Sequence, residues 1–244
     1  MSDPVSQMNA TINGLTREFD LITNNLANVS TVGYKRTSNA FSKSLLAQSE
    51  GIGEAGGGGE AELLSAYDFS QGSFIETGRS LDFALCGKGL FVIETPEGPL
   101  YTRNGMFRED KNGQIVDSSG RIVAGESGPI TIPPDVGLDQ ISVSSDGNIS
   151  GNGLVIGKFK LVEFGENEHK LVSAGFNCFQ APADIKPEVP KNLIVKQGFQ
   201  EGSNVQMVEE LVDMITVSRL YEANMRLMSV GKDTTKSLLN VAMS

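Results

Sequence analysis

Histidine and cysteine are almost missing from this 244-residue sequence, which has one His and two Cys. Cys86 and Cys178 lie far apart, with no CxxC and no histidine nearby, so neither a zinc site nor a disulfide framework is expected and both read as isolated structural thiols. His169 falls in the charged segment GENEHK and reads as a solvated loop residue, with no Ser/His/Asp or Cys/His arrangement around it. Carboxylates are plentiful, yet pairs such as Glu109-Asp110 and Glu209-Glu210 sit near a turn or on a helix, where solvated charge is the ordinary reading. No enzyme, cofactor or metal is expected. Basic residues are also outnumbered, 20 against 30 acidic, for a net charge of -10. That field repels a nucleic-acid backbone or an anionic membrane surface. Lys35, Arg36, Arg79 and Arg103 are too scattered to track phosphates. Long apolar runs are missing too: the longest, Leu90 to Ile93, excludes membrane insertion. The opening MSDPVSQMNATINGL lacks the basic and apolar regions of a cleaved secretory signal. The chain is expected either to stay in the cytoplasm or to leave by a route that reads no such signal.

What is present begins with a helix. Val5, Met8, Ile12, Leu15, Phe19, Ile22, Leu26 and Val29 recur at alternating steps of three and four, a heptad seam. Asp3 before Pro4 suits an N-cap followed by the first helical position. At the other end Ser203-Asn204-Val205-Gln206 reads as a capping box before VEELVDMITVSRLYEANMRLM, which has no Pro or Gly. Its seam runs Met207, Leu211, Met214, Val217, Tyr221, Asn224, Met228, Gly231, Thr235, Leu238, Ala242. Such stripes serve either a helix pair within one core or helices that assemble with other subunits.

Between the helices, Gly51 to Glu60 (GIGEAGGGGE) is a linker by composition. It holds a formal GxGxxG with no strand before it and no helix after it, so no nucleotide site is expected. From about Phe69 to Val195 short strands alternate with turns: Leu81, Phe83 and Leu85 alternate with polar neighbours, then LFVI follows. Asn104-Gly105, Asn112-Gly113, Asp146-Gly147 and Asn152-Gly153 supply residues that accept positive φ in tight hairpins. The expected fold class is α+β: long N- and C-terminal helices forming a coiled-coil core, with an inserted all-β domain. Its divisions are residues 1–50, helix and following signature; 51–68, linker; 69–196, β domain; and 197–244, C-terminal helix.

The first helix breaks at NNLANVSTVGYKR, Asn24 to Arg36. Asn28 suits the left-handed conformation that ends a helix, Gly33 can take a positive φ, Tyr34 reads as an anchor, and Lys35 and Arg36 are available to acidic neighbours. This stretch resembles the signature of the bacterial flagellar rod and hook family, carried by Asn25, Ala27, Asn28, Thr31, Gly33, Tyr34 and Lys35. Val32 stands where many members have proline, so the junction has one less rigid bond. Thr77 to Gly125 is similar to the family's β region, and Gln197 to Met228 to its terminal helix. Length and the single short β region favour a rod subunit over the longer hook protein, most like the proximal F type and next the distal G type.

The resemblance implies a structural subunit of the flagellar basal-body rod. It would be exported by the type III apparatus without a cleaved signal and would polymerise through its terminal helices with copies of itself and other rod proteins. The β domain would face outward, and the shaft would carry torque. Subunit contacts are expected at Leu15, Phe19, Ile22 and Leu26 and at Leu211, Met214, Val217 and Tyr221. The competing reading is a monomeric ligand- or protein-binding module with no assembly role.

Overall fold

A computed structural model of the chain describes residues 4–38 and 66–242, and the side chains of 8–38 and 66–231. The glycine-rich stretch with its GxGxxG lies outside the described residues. The chain divides into two compact units. One gathers Met1–Ala27, Thr37–Ala66 and Gln206–Ser244, and the other Asn28–Arg36 and Tyr67–Val205.

In the second, β unit the strands are short and antiparallel. A nine-stranded sheet runs in the order Val172–Gly175, Cys178–Gln180, Gly98–Thr102, Leu90–Thr95, Ile122–Gly125, Ile115–Val116, Arg108–Glu109. Gly128–Pro129 pairs beside Ile122–Gly125, and Leu161–Val162 beside Leu90–Thr95. A three-stranded sheet (Ile141–Val143, Asn148–Gly151, Leu154–Lys158) and two ribbons complete it. The ribbons pair Phe83–Cys86 with Ile194–Gln197 and Phe74–Glu76 with Phe199–Glu201.

The unbroken apolar run LFVI has a direct cause. Side chains alternate across a strand, and here both faces are covered, so every position must be apolar. Phe91 and Ile93 enter one core with Phe83, Leu85, Phe107, Val123, Phe159 and Val195. Leu90 and Val92 enter another, with Tyr101, Val162, Phe164 and Phe179. In the first, Phe83 and Phe91 each meet Phe159 edge-on, with ring centroids 5.0 and 5.5 Å apart.

Two turns share one aspartate device. Asp110 Oδ1 accepts the N–H groups of Asn112 and Gln114, each at 2.8 Å, and Asp117 Oδ1 those of Ser119 and Arg121, at 2.8 and 2.9 Å. The bond from the Gln114 N–H holds the Asp110 carboxyl below the usual carboxylate range. The glycines of the Asn112, Asp146 and Asn152 dipeptides take positive φ as expected. Gly105 does not. It is required instead by close approach, since a methyl group there would overlap the Phe83 carbonyl, whose own N–H bonds the Gly105 oxygen at 2.9 Å.

The helical unit contains α1, Pro4–Ala27, and α2, Met207–Ala242. Helix α1 starts at the proline, as expected. The Ser203 box does not start α2: Ser203 Oγ accepts the Val205 N–H at 3.2 Å, and the Glu210 N–H bonds the Gln206 carbonyl at 3.1 Å.

The expected α+β fold with a coiled-coil core is overturned. The fold is mostly β, with one helix near each end, and its two large clusters of buried side chains lie in the β unit. Helices α1 and α2 share one small patch, Leu15, Ile22 and Val217 with Met214 against it. Phe19, Leu211 and Tyr221, from the expected seams, are 40, 42 and 39% exposed. Heptad spacing guarantees an apolar stripe on each helix; it does not oblige two stripes of one chain to face each other along their length.

Candidate functional site

The signature segment Asn28–Arg36 is built into the β unit by its main chain. Thr31 Oγ1 donates to Asn28 Oδ1 at 3.0 Å, and the Thr31 N–H bonds the Asn28 carbonyl at 3.1 Å. Asn28 therefore closes a turn with its side chain, and it is not in the left-handed region. Gly33 is, at φ +68, and its N–H donates to the Glu201 carbonyl at 2.7 Å. Asn177 Nδ2 donates to the Val32 carbonyl at 3.0 Å. The Arg36 N–H donates to Asn204 Oδ1 at 2.7 Å, and the Arg36 carbonyl accepts the Asp68 N–H at 2.8 Å. The same Asn204 amide donates to the Asp68 carbonyl at 2.8 Å and to Ser70 Oγ at 3.0 Å. One asparagine thus ties three separate segments.

Beneath this loop lies a buried ionic cluster. Lys35 Nζ donates to Glu201 Oε1 at 2.7 Å and to the Ser70 carbonyl at 2.6 Å. Arg103 reaches Glu201 Oε2 at 3.3 Å and the carbonyls of Leu85 and Gly87 at 3.2 and 2.8 Å. The Gly72 N–H completes the carboxylate's partners at 3.0 Å. The side chains of Lys35 and Glu201 are fully enclosed, and that of Arg103 is 2% exposed. Burial pushes the Lys35 ammonium and the Arg103 guanidinium below their usual pKa ranges, against the pull of Glu201. Two enclosed cations share one carboxylate.

The acidic residue that Lys35 meets is Glu201. Its enclosed amine is satisfied within its own unit. Lys35 and Arg103, too scattered along the chain to suggest a patch, converge in space on a glutamate that no motif singled out. Glu201 had one signal: it lies in the third segment resembling the rod family.

The helical unit presents a different surface. Asn25, 1% exposed, accepts the Thr37 N–H and donates to the Thr37 carbonyl, each at 2.9 Å, and also reaches Glu210 Oε2 at 3.3 Å. It bonds the returning chain as a neighbouring strand would. Ala27 is the last residue of α1, and Leu26 is half-buried. Leu15, Thr16, Phe19, Val217, Ser218, Tyr221 and Glu222 line an apolar cleft of about 450 Å³. Of the eight residues expected at subunit contacts, Leu15, Ile22, Met214 and Val217 are spent on the α1–α2 patch. Phe19, Leu211 and Tyr221 remain exposed.

Among the described residues no catalytic arrangement surrounds the histidine or either cysteine. His169 is exposed, its Nδ1 beside the Glu166 carbonyl at 2.6 Å. Among the described residues no group of His, Cys, Asp and Glu could hold a metal ion. Cys178 is buried, accepts a bond from Arg121 at 3.0 Å, and has its thiol pushed up by burial. Cys86 is half-buried. Titration of the folded protein with a thiol reagent at neutral pH should therefore modify one cysteine quickly, and both after denaturation. Two fast thiols in the folded protein would contradict this placement.

Two family models match the chain. One, described as the flagellar hook protein FlgE/F/G D1 domain, covers residues 84–151. The other, the flagellar basal body rod FlgEFG protein C-terminal, covers residues 196–241. The flagellar basal-body rod protein FlgG of Buchnera aphidicola (from Schizaphis graminum) is 34% identical, over 90% of this chain and 92% of its own. FlgG of Agrobacterium fabrum is 34% identical over 88% and 89%. FlgF of Caulobacter vibrioides is 30% identical over 91% of each chain. The likeness spans both units, and relatives of both the G and F types share it.

Proposed function

Since the chain belongs to the flagellar basal-body rod protein family, we propose that it is a structural subunit of the rod that polymerises through its terminal helices. It binds copies of itself and other rod proteins, carries torque towards hook and filament, and catalyses nothing. It reaches the basal body through the type III export apparatus without a cleaved signal, and its β unit faces outward.

One observation carries this reading, the apolar surface left open on α2. Val208, Val212, Ile215 and Leu227 are 55–73% exposed, and Met207, Leu211 and Met225 are 42–49% exposed. Scattered apolar residues need no explanation, but a helix that exposes them turn after turn marks an association surface. Open filaments need heterologous contacts, one surface of a subunit meeting a different one on the next. Phe19 and the cleft beside it offer the α1 side of such a contact.

A strain lacking this chain should make no filaments, and the full-length gene should restore them. Leu211→Asp with Ile215→Asp should fail to restore them, although the purified variant keeps its unfolding midpoint to within about 0.5 kcal/mol, because both sites are open in the isolated chain. Normal motility of the deletion strain would overturn the reading. Full restoration by the double variant would move the contact away from this face.

A further inference from the structure

The ionic cluster joins the signature segment to the strand through which the chain leaves the β unit at its other end. Three bonds link them: the Gly33 N–H to the Glu201 carbonyl at 2.7 Å, the Arg36 N–H to Asn204 Oδ1 at 2.7 Å, and Lys35 Nζ to Glu201 Oε1 at 2.7 Å. The second is of a kind that a slipped segment can remake with another residue. The first is not, because position 33 has room only for glycine, and neither is the third. A shift by one residue would bring Tyr34 or Arg36 to Glu201 and leave the Lys35 ammonium enclosed without its carboxylate. Glu201 has little freedom to follow, since its other oxygen is held by Arg103 and its main chain is paired with Phe74.

Lys35 adds little that the unit's core lacks. Its replacement by an apolar side chain of similar length leaves Glu201 paired one-to-one with Arg103 and still bonded to the Gly72 N–H. The Ser70 carbonyl keeps the Asn204 amide at 3.3 Å. Removing one partner of a buried pair is costly when it strands the other's charge; here Arg103 remains on Glu201, so the loss of Lys35 strands no charge, whereas its presence excludes alternative registers.

We infer that Lys35 is a positioning residue: it sets the register of Asn28–Arg36 against Phe199–Glu201 and so fixes where the chain enters and leaves the β unit. The inference rests on the proposed rod role, because register at these exits matters when the segments beyond them must meet other subunits at set places. Within the family signature, the lysine then acts inside its own subunit, as an internal lock for the loop.

The test uses the full-length chain carrying Lys35→Met, followed by hydrogen exchange in the purified protein and by complementation of the deletion strain. Exchange at Gly33 to Arg36 should speed up by about tenfold or more while Leu90–Thr95 stays within about twofold of wild type, and most filaments should be lost. Unchanged protection at Gly33 to Arg36 would overturn the inference, as would loss of protection through the core strands, which would make Lys35 a stability element. If Lys35→Met does not fold, Lys35→Gln is read by the same criteria, and collapse of the core in both overturns it. A loosened loop with normal filaments would defeat the lock and leave the rod reading intact. Normal motility without any copy of the chain would defeat the rod reading itself.

Discussion

Glu201→Ala should destabilise the β unit by about 3–5 kcal/mol, the cost of removing one partner from a buried ion pair. The reason is asymmetry. Wild type encloses two cations and one carboxylate, and the alanine variant would enclose Lys35 and Arg103 with no counter-charge between their head groups. The Gly72 N–H would lose its carboxylate acceptor as well. Burial already pushes both cations below their usual pKa ranges, and Glu201 is the neighbour that most offsets it. Urea unfolding followed by circular dichroism would measure the loss, since the chain has no tryptophan to report by fluorescence. A loss under about 1 kcal/mol would mean that water reaches the cluster and screens it. The contrast with Lys35→Met is the sharper result: two substitutions at the two ends of one 2.7 Å ion pair should differ severalfold in cost.

Gly33→Ala should have the second largest effect, for a different reason. The backbone at φ +68 is one that residues with a Cβ rarely adopt, and such strain costs on the order of 1–3 kcal/mol. Space is also missing. The added carbon would stand 2.5 Å from the Asn104 nitrogen and 2.8 Å from the Arg103 carbonyl carbon, both main-chain atoms. They cannot retreat without moving the guanidinium that holds Glu201. The loop should yield instead, breaking the 2.7 Å bond from Gly33 to the Glu201 carbonyl, and the unfolding midpoint should fall while the Phe83 to Phe159 core keeps its packing. Wild-type exchange rates at Gly33 to Arg36 in this variant would show that the loop absorbs the methyl group and that the close approach has been overestimated.

These expectations differ from what the signature suggested when read alone. As a motif, Asn24 to Arg36 is a helix end, a turn, an aromatic anchor and two cations available to acidic neighbours. Gly33 does take the positive φ its residue type allows, because that preference is local and survives any environment. Asn28 could close the turn in more than one way, and the Thr31 hydroxyl decided it. For Lys35 the residue type pointed to solvent, since lysine is almost never enclosed without a partner. The partner lay 166 positions along the chain, and no local rule can count that far.

The helices teach a similar lesson. Apolar periodicity found α1 and α2, because a stripe at steps of three and four shows in any helix that buries one side, and Asp3-Pro4 marked where α1 starts. What the stripe meets is a tertiary matter. Two of the eight residues expected to touch other subunits, Leu15 and Ile22, pack against Val217 and Met214 of the chain's own second helix, and among the described residues the coiled-coil core read from the same spacing is not there.

By itself, then, the sequence determined the things that depend on near neighbours: where the two helices lie, the run of short strands between them, the positive φ of Gly113, Gly147 and Gly153, and kinship with the rod family through three ordered segments. Only the tertiary structure decided that the hydrophobic core belongs to the β unit, that LFVI is covered on both faces, and that Lys35, Arg103 and Glu201 meet out of water. Periodicity and turn chemistry act over a few residues, and short-range preferences accumulate along the chain where they can be read. Burial and charge pairing act between segments that only folding brings together, and a cation's isolation from solvent is a property of everything around it.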